Sequence, residues 1–318
     1  MSNEMAYSAE IAIRDCMAVK PGETVLVITD EPTRTIGRAL WEEAIETGAE
    51  AVYIEMTPRK NDGAEPPPTI AAAMKQADVI LAPTSRSLSH TVARKEANQA
   101  GARVATLPGI TEDMMKRTLS ADYQKIAVVS AKFAEILSKG KVAHLTTPLG
   151  TDITLSLEGR EAHPDTGIIH QAGDFSNLPA GEAFIAPLEG TANGVVVIDG
   201  AMSGIGVLKT PIKMTVEKGY VTKIEGGEAA EKLDGILAEY GKLAYNIAEL
   251  GIGTNDKAIL TGKVLEDEKV MGTVHIALGN SASFGGTTQV SIHLDGIITR
   301  PTLSIDDQVV IKDGQHMI

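Results

Sequence analysis

The chain has almost no thiol chemistry. Cys16 is the single cysteine among 318 residues. One cysteine cannot form an internal disulfide, and it cannot supply the several sulfur ligands of a structural zinc site. Any bound metal ion must therefore be held by nitrogen and oxygen ligands.

Positive charge and long hydrophobic runs are also scarce. The 29 Lys and Arg residues face 42 Asp and Glu residues, which gives a formal net charge of -13. Nucleic acids and anionic membranes both demand a concentrated basic surface, so we expect neither as a partner. No apolar run is long enough to span a bilayer, and Met1–Met5 lacks the features of a signal peptide. The sequence predicts a soluble cytoplasmic protein.

Several common site motifs are missing. The sequence contains no P-loop, no Gly-x-Ser-x-Gly elbow and no His-Glu-x-x-His helix. Gly204-Ile205-Gly206 is too short for a dinucleotide-binding fingerprint and lies outside the part with alternating strands and helices. We therefore expect neither NAD nor ATP as a cofactor.

The segments that are present divide the chain near residue 140. Short apolar runs alternate with helical stretches up to that point, which is typical of a parallel sheet with covering helices. After a long helical pattern at Ala121–Leu137, strand-like runs separated by Gly, Pro or Asp predominate. We predict an α/β N-terminal domain with a parallel sheet at residues 1–140. We predict an α+β C-terminal metal-site domain at residues 141–318.

The His293-Leu294-Asp295 triplet lies in a β-rich run. Alternate residues of a strand point to the same side, so His293 and Asp295 would project an imidazole and a carboxylate from one face. A buried carboxylate needs a partner, and a cation is one such partner. The alternative is a hydrogen-bonded structural pair.

Three further residues complete a candidate ligand set. Glu182 follows a Pro/Gly turn, and the alternative to a ligand there is a solvated turn residue. Glu249 is flanked by apolar and Gly residues. His275 lies in an apolar strand between two glycines, and the alternative to a ligand there is a histidine of the hydrophobic core. Two imidazoles and three carboxylates without thiols form a donor set suited to zinc, manganese, cobalt or iron.

These segments resemble the aminopeptidase T and aminopeptidase S family of metallopeptidases. The matching stretches surround each candidate ligand or resemble the hairpin that opens the family's second domain: Asn177–Pro187, Ala248–Asn255, Gly272–Gly279, His293–Asp295, Thr147–Asp152 and Glu158–Arg160. The resemblance implies a homodimeric hydrolase that releases N-terminal residues from peptides. It implies two zinc, cobalt or manganese ions on five ligands, namely Glu182, Glu249, His275, His293 and Asp295. Glu249 and Glu182 are its candidate catalytic residues, with Glu268 a further candidate base.

One departure from that family keeps other functions open. The family carries a Tyr seven residues after the first metal-site His, and this chain has Ala282 there. Some relatives of this fold resemble ring-cleaving dioxygenases of dihydroxypyridines, and in that alternative a single iron would be held by His275, His293 and Asp295. A catalytically decayed relative is the third possibility. The two Glu residues favour the hydrolase in this comparison, because a single-iron oxygenase needs open coordination positions.

Overall fold

A computed structural model describes residues 3–318 of the chain. The expectation that the N-terminus is not a signal peptide concerned Met1–Met5, of which Met1 and Ser2 lie outside the described residues. The helices are α1 (Asn3–Glu10), α2 (Arg34–Glu46), α3 (Pro68–Met74), α4 (Val92–Gln99), α5 (Glu112–Thr118), α6 (Tyr123–Lys139), α7 (Glu228–Tyr240) and α8 (Val264–Asp267). A π-helical segment, Ile11–Cys16, follows α1, and short 3₁₀ turns occur at Glu31–Thr33, Lys242–Tyr245 and Ala282–Phe284.

The strands are short and form three sheets. In the first part of the chain they are β1 (Thr24–Asp30), β2 (Glu50–Met56), β3 (Val79–Ala82), β4 (Arg103–Thr106), β5 (Val142–Thr146), β6 (Asp152–Ser156), β7 (His163–Asp165), β8 (Phe175–Asn177), β9 (Glu182–Ile185) and β10 (Asn193–Ile198). The remainder are β11 (Ala201–Met202), β12 (Gly206–Val207), β13 (Ile212–Glu217), β14 (Tyr220–Glu225), β15 (Ile247–Gly253), β16 (Val274–Gly279), β17 (His293–Ile298), β18 (Thr302–Ile305), β19 (Gln308–Lys312) and β20 (Gln315–His316).

The first structural unit comprises the described residues up to Ala127 together with Thr166–Ala180. Its sheet has the order β2-β1-β3-β4-β8, and every pair of neighbours is parallel. The central strands β3 and β4 are buried along their whole length, as strands covered on both faces require. Apolar residues of α3 and α4 pack on these strands in one hydrophobic cluster.

The second unit comprises Val128–Asp165 and Gly181–Ile318. It contains an eight-stranded sheet, β14-β13-β10-β6-β5-β18-β19-β20, and a seven-stranded sheet, β12-β11-β17-β16-β15-β9-β7. Neighbouring strands in both sheets are antiparallel. One hydrophobic cluster joins residues of the two sheets, including Leu145, Val196, Leu250 and Ile276. The seven-stranded sheet therefore turns one face to the core.

The predicted parallel sheet with helices is present, and the second unit contains antiparallel sheets. Strand β8 of the parallel sheet lies after β5–β7 in the sequence. The residue limits 1–140 and 141–318 stay a prediction, because the contact-based units are not continuous in sequence. In residues 3–318, no helix combines the length and the apolarity needed to cross a membrane.

Candidate metal centre

The candidate ligands lie on one face of the seven-stranded sheet. Glu182 starts β9, Glu249 lies in β15 and His275 in β16, while His293 and Asp295 lie in β17. The residues between them, such as Leu250 and Ile276, belong to the hydrophobic core on the other face. Strand alternation therefore separates the apolar packing from the polar site.

Small residues lie opposite the candidate ligands on neighbouring strands. The register pairs Gly253 with Glu182, Gly251 with His275 and Gly279 with His293, and Ala277 lies between Glu249 and Asp295. A Cβ atom at Gly251 would lie only 1.9 Å from His275 Nε2. The His275 imidazole can therefore occupy this position only because residue 251 has no side chain.

The Glu249 carboxylate lies between the two imidazoles. Its Oε1 is 3.1 Å from His275 Nε2, and its Oε2 is 3.5 Å from His293 Nε2. His275 Nε2 is also 3.3 Å from Glu182 Oε2, and His293 Nε2 is 3.3 Å from Asp295 Oδ1. Two overlapping groups result, Glu182/Glu249/His275 and Glu249/His293/Asp295, each with potential ligand atoms within 4.8 Å of one another.

The cluster is buried and strongly coupled. His275 is completely buried, while Glu182, Glu249 and Asp295 are each 6% exposed. Burial disfavours the charged form of Asp295, yet the His293 charge lowers the pKa of this carboxyl to about 2. Burial also lowers the pKa of His293, but Asp295 and Glu249 raise it to about 10. Protonated imidazoles thus balance the ionised carboxylates here, and a bound metal cation would replace the protons on the imidazoles.

The donor chemistry fits a divalent metal ion. Only nitrogen and oxygen donors are present, and Glu182 Oε2 is buried without a hydrogen bond of good geometry. His293 Nδ1 lies 2.8 Å from the Asn280 carbonyl oxygen, so Nδ1–H donates to it, and in the neutral imidazole Nε2 would offer its lone pair to a metal ion. The Asp295 backbone N–H donates to Ser203 Oγ at 3.1 Å, and the Ser203 hydroxyl in turn donates to Asp295 Oδ2 at 3.4 Å. Backbone and hydroxyl groups therefore orient two of the candidate ligands.

A row of rings leads away from His293. The Phe284 ring meets the His293 imidazole edge-on at a centroid distance of 5.7 Å, and it meets Phe184 at 5.6 Å. Phe184 in turn lies 5.5 Å from the ring of His163. Both phenylalanines are partly exposed. In a chain with 3% aromatic residues, two of its four Phe side chains lie beside this centre.

Comparison with known proteins identifies the family. The sequence matches the NicX family, described as 2,5-dihydroxypyridine 5,6-dioxygenase, over residues 7–318. The chain belongs to this family. A 2,5-dihydroxypyridine 5,6-dioxygenase from Pseudomonas putida KT2440 is 24% identical over 260 residues, which cover 76% of this chain and 71% of the relative.

Two solved structures share the fold of this family member. The structure of 2,5-dihydroxypyridine dioxygenase from P. putida KT2440 matches with a TM-score of 0.84 at 20% identity, covering 100% of this chain and 98% of the other. Wild-type AmpT from Thermus thermophilus matches with a TM-score of 0.72 at 18% identity, covering 99% of each chain. At these identities the two likenesses show a common fold and not a common reaction.

The assignment to the aminopeptidase T and S family was therefore wrong, and so were the descriptions of the chain as a hydrolase, aminopeptidase, metalloprotease and agent of proteolysis. The ring-cleaving dioxygenase, kept as the alternative, is the function that the comparisons support. The pattern misled because two Glu, two His and one Asp specify a sheet face that can hold a cation, and the fold is shared. They do not specify how many ions bind or which reaction follows.

Sequence reasoning missed the charge balance around Glu182. The acidic run Leu265–Glu268 resembles a solvated turn, but Glu266 and Asp267 are buried and accept backbone N–H groups of the preceding loop. Lys269, which follows this run, is 1% exposed and reaches Glu182. A Lys directly after three acidic residues was the available signal. The Ala282 position is exposed in a 3₁₀ turn, and the ring beside the centre comes from Phe284 instead.

Proposed function

We propose that this chain is a non-haem iron(II) dioxygenase that opens the ring of 2,5-dihydroxypyridine or a closely related dihydroxylated nitrogen heterocycle. The observation that carries the proposal is the placement of His275, His293 and Asp295 on neighbouring strands of one sheet face. Two His and one carboxylate are the ligand set of many iron(II) oxygenases, and they leave coordination positions open. Iron bound there would supply the one-electron chemistry that reaction with dioxygen requires.

The protein's own residues would prepare the substrate. Glu249 lies against both imidazoles and is almost buried, so its carboxylate is placed to accept the proton of a ring hydroxyl. In this proposal Glu249 acts as a base and not as a ligand. The wider assignment, in which Glu182 and Glu249 also bind metal, stays a prediction.

The aromatic side chains support a planar substrate. Phe284 lies edge-on to His293, Phe184 lies edge-on to Phe284, and both rings are partly exposed, so a heteroaromatic ring can stack on them or meet an edge. A peptide main chain would gain little binding free energy from such an aromatic surface. The rings thus favour a dihydroxypyridine over the peptide substrate first expected.

The test is anaerobic reconstitution with Fe²⁺ followed by addition of 2,5-dihydroxypyridine and dioxygen. We expect loss of the ring absorbance with uptake of one O₂ per substrate, and no release of arylamine from aminoacyl-arylamides. Asp295→Asn and His293→Ala should abolish turnover by weakening iron binding. Full turnover after Asp295→Asn, or no ring opening by the wild-type protein with iron bound, would contradict the proposal.

Two expectations about the whole protein remain predictions. The homodimer followed from the resemblance to the aminopeptidases, and light scattering of the purified protein would test it. The cytoplasmic location rests on the composition and on the N-terminal residues, and cell fractionation would test it.

A further inference from the structure

Lys269 places a buried ammonium group beside the metal centre. Its side chain is 1% exposed, and Nζ lies 2.5 Å from Glu182 Oε1, 2.7 Å from Glu268 Oε1 and 3.1 Å from Asp165 Oδ2. Lysine is rarely buried to this extent, because removing its charge from water is costly without partners. Here three carboxylates from β7, β9 and the end of α8 converge on one cation.

Three converging carboxylates are also what a hard divalent cation requires. Mn²⁺, Mg²⁺ and Ca²⁺ all prefer such oxygen ligands. Lys269 Nζ thus occupies the point toward which the oxygens of Asp165, Glu182 and Glu268 turn. The three carboxylates thus form an oxygen-lined site for a cation, and the Lys269 ammonium group occupies it.

Glu182 connects this cation to the proposed iron ligands. One oxygen, Oε1, contacts Lys269, and the other, Oε2, lies 3.3 Å from His275 Nε2. In a two-metal site a carboxylate commonly bridges two metal ions. Here the same carboxylate extends between an ammonium and a metal ligand, and like charges would oppose a second metal ion at the ammonium position.

We propose that the Lys269 ammonium takes the place of a second divalent ion and so restricts this centre to one metal ion. The inference rests on the metal centre of the proposed function, but it does not depend on the reaction that the centre performs. It assigns to Lys269 the role of a positioning residue that sets metal number. It also explains how a chain with two extra Glu residues can keep a single-metal centre.

The experiment counts ions in the stripped and reloaded protein. Wild-type protein is freed of metal with a chelator, titrated with Mn²⁺, passed through gel filtration and analysed for Mn²⁺ per chain. We expect one ion in the wild type and two in Lys269→Met, which keeps an unbranched side chain but removes the charge. The matched control is Lys139→Met, which removes an exposed lysine paired with Glu135 and should leave one ion bound.

Electron paramagnetic resonance gives a second readout without any enzymatic assay. The wild type should show the spectrum of an isolated Mn²⁺ ion, whereas Lys269→Met should show coupling between two neighbouring ions. Two ions in the wild type would overturn the proposal, and so would one ion in folded Lys269→Met.

A second variant, which keeps the Lys269 ammonium, provides a further test if Lys269→Met does not fold. Glu182→Gln preserves the shape of the side chain and removes one of the three negative charges around Lys269. We expect it to retain one Mn²⁺ per chain because the Lys269 ammonium is still present, and a second ion bound beside that ammonium would overturn the proposal. A wild-type protein with one bound iron that does not open dihydroxypyridines would contradict the proposed function alone.

Discussion

At the scale of single residues, the metal centre needs a glycine opposite one of its candidate ligands. Gly251 lies opposite His275 in the β15–β16 register, and the imidazole occupies the space that a Cβ atom would take. Gly251 does not have a positive φ, so its role here is steric and not conformational. Gly251 therefore provides room for the His275 ligand of the neighbouring strand β16, whereas a Cβ atom at Gly253 would meet the Val270 backbone.

Gly251→Ala should therefore weaken metal binding by displacing the His275 ring. We expect a loss of affinity of roughly ten- to hundredfold, the range seen when groups that orient metal ligands are changed. Isothermal titration with Mn²⁺ measures it. The matched control is Gly235→Ala in α7, where a Cβ meets nothing within 4 Å. That variant should bind metal normally, and equal binding by both variants would show that the His275 ring does not need this space.

Phe284 should act on substrate binding and not on the metal. Replacing it with Leu removes the edge-on contact with His293 and the ring surface offered to a planar substrate. Because an aromatic pair contributes about 0.5–1.5 kcal/mol beyond its buried area, we expect KM to rise roughly three- to tenfold. Phe284→Tyr should restore the wild-type value. An unchanged KM in Phe284→Leu would remove this ring from the substrate site.

At the scale of elements, the loop between β16 and β17 positions both Phe284 and the His293 side chain. Glu189 anchors this loop: it accepts the Thr287 backbone N–H at 2.6 Å and the Ser281 hydroxyl at 3.3 Å, and it pairs with Arg160. Burial raises the pKa of Glu189, but the bond from Thr287 N–H and the Arg160 charge lower it below its usual value of 4.5. The anchor is therefore strongest when this carboxylate is ionised.

The loop should loosen in acid. A carboxyl whose pKa is lower in the folded state contributes its full stabilisation above its unfolded pKa, and that contribution is lost as the pH falls through the lowered value. We expect hydrogen exchange of residues 281–288, corrected for intrinsic rates, to accelerate below about pH 4.5 in the wild type. Glu189→Gln cannot titrate, so its loop should exchange faster than wild type near neutral pH and show no such transition. The same transition in both proteins would assign it to another group.

At the scale of the whole molecule, the cluster of buried carboxylates couples metal binding to stability. Without a metal ion, protons on His275 and His293 and the Lys269 ammonium balance the negative charge. A divalent ion that binds only the folded chain adds about 2.7 kcal/mol of stability when present at a hundred times its Kd. The metal-loaded protein should therefore resist unfolding better than the stripped protein.

Chelation should lower the melting temperature by roughly 5 °C, given a shift of about 2–4 °C per kcal/mol in proteins of 150–250 residues and a smaller one in longer chains. Differential scanning calorimetry with and without saturating Mn²⁺ measures the change. The His293→Ala variant should lose most of the metal-dependent shift. A shift of equal size in that variant would place the stabilising ion elsewhere.

Which residues share a face follows from the local amino-acid pattern. In β17, alternation placed His293 and Asp295 on one side, and their side chains do lie 3.3 Å apart. The local pattern also determined the parallel sheet with helices, because short strands rich in apolar residues alternate with helical stretches. These features are local, since the period of a strand or helix is written in neighbouring residues.

The contacts between residues that are distant in the chain depend on the three-dimensional fold. Lys269 reaches Glu182 across 87 positions of the chain, and Phe284 comes to rest beside His293 through the folding of a loop. Neither contact can be recognised from the periodicity of the sequence, because both contacts depend on the order of strands β9, β15, β16 and β17 in the sheet. Charge compensation at Glu182 is such a non-local property, and for that reason the ligand pattern alone favoured a two-metal hydrolase.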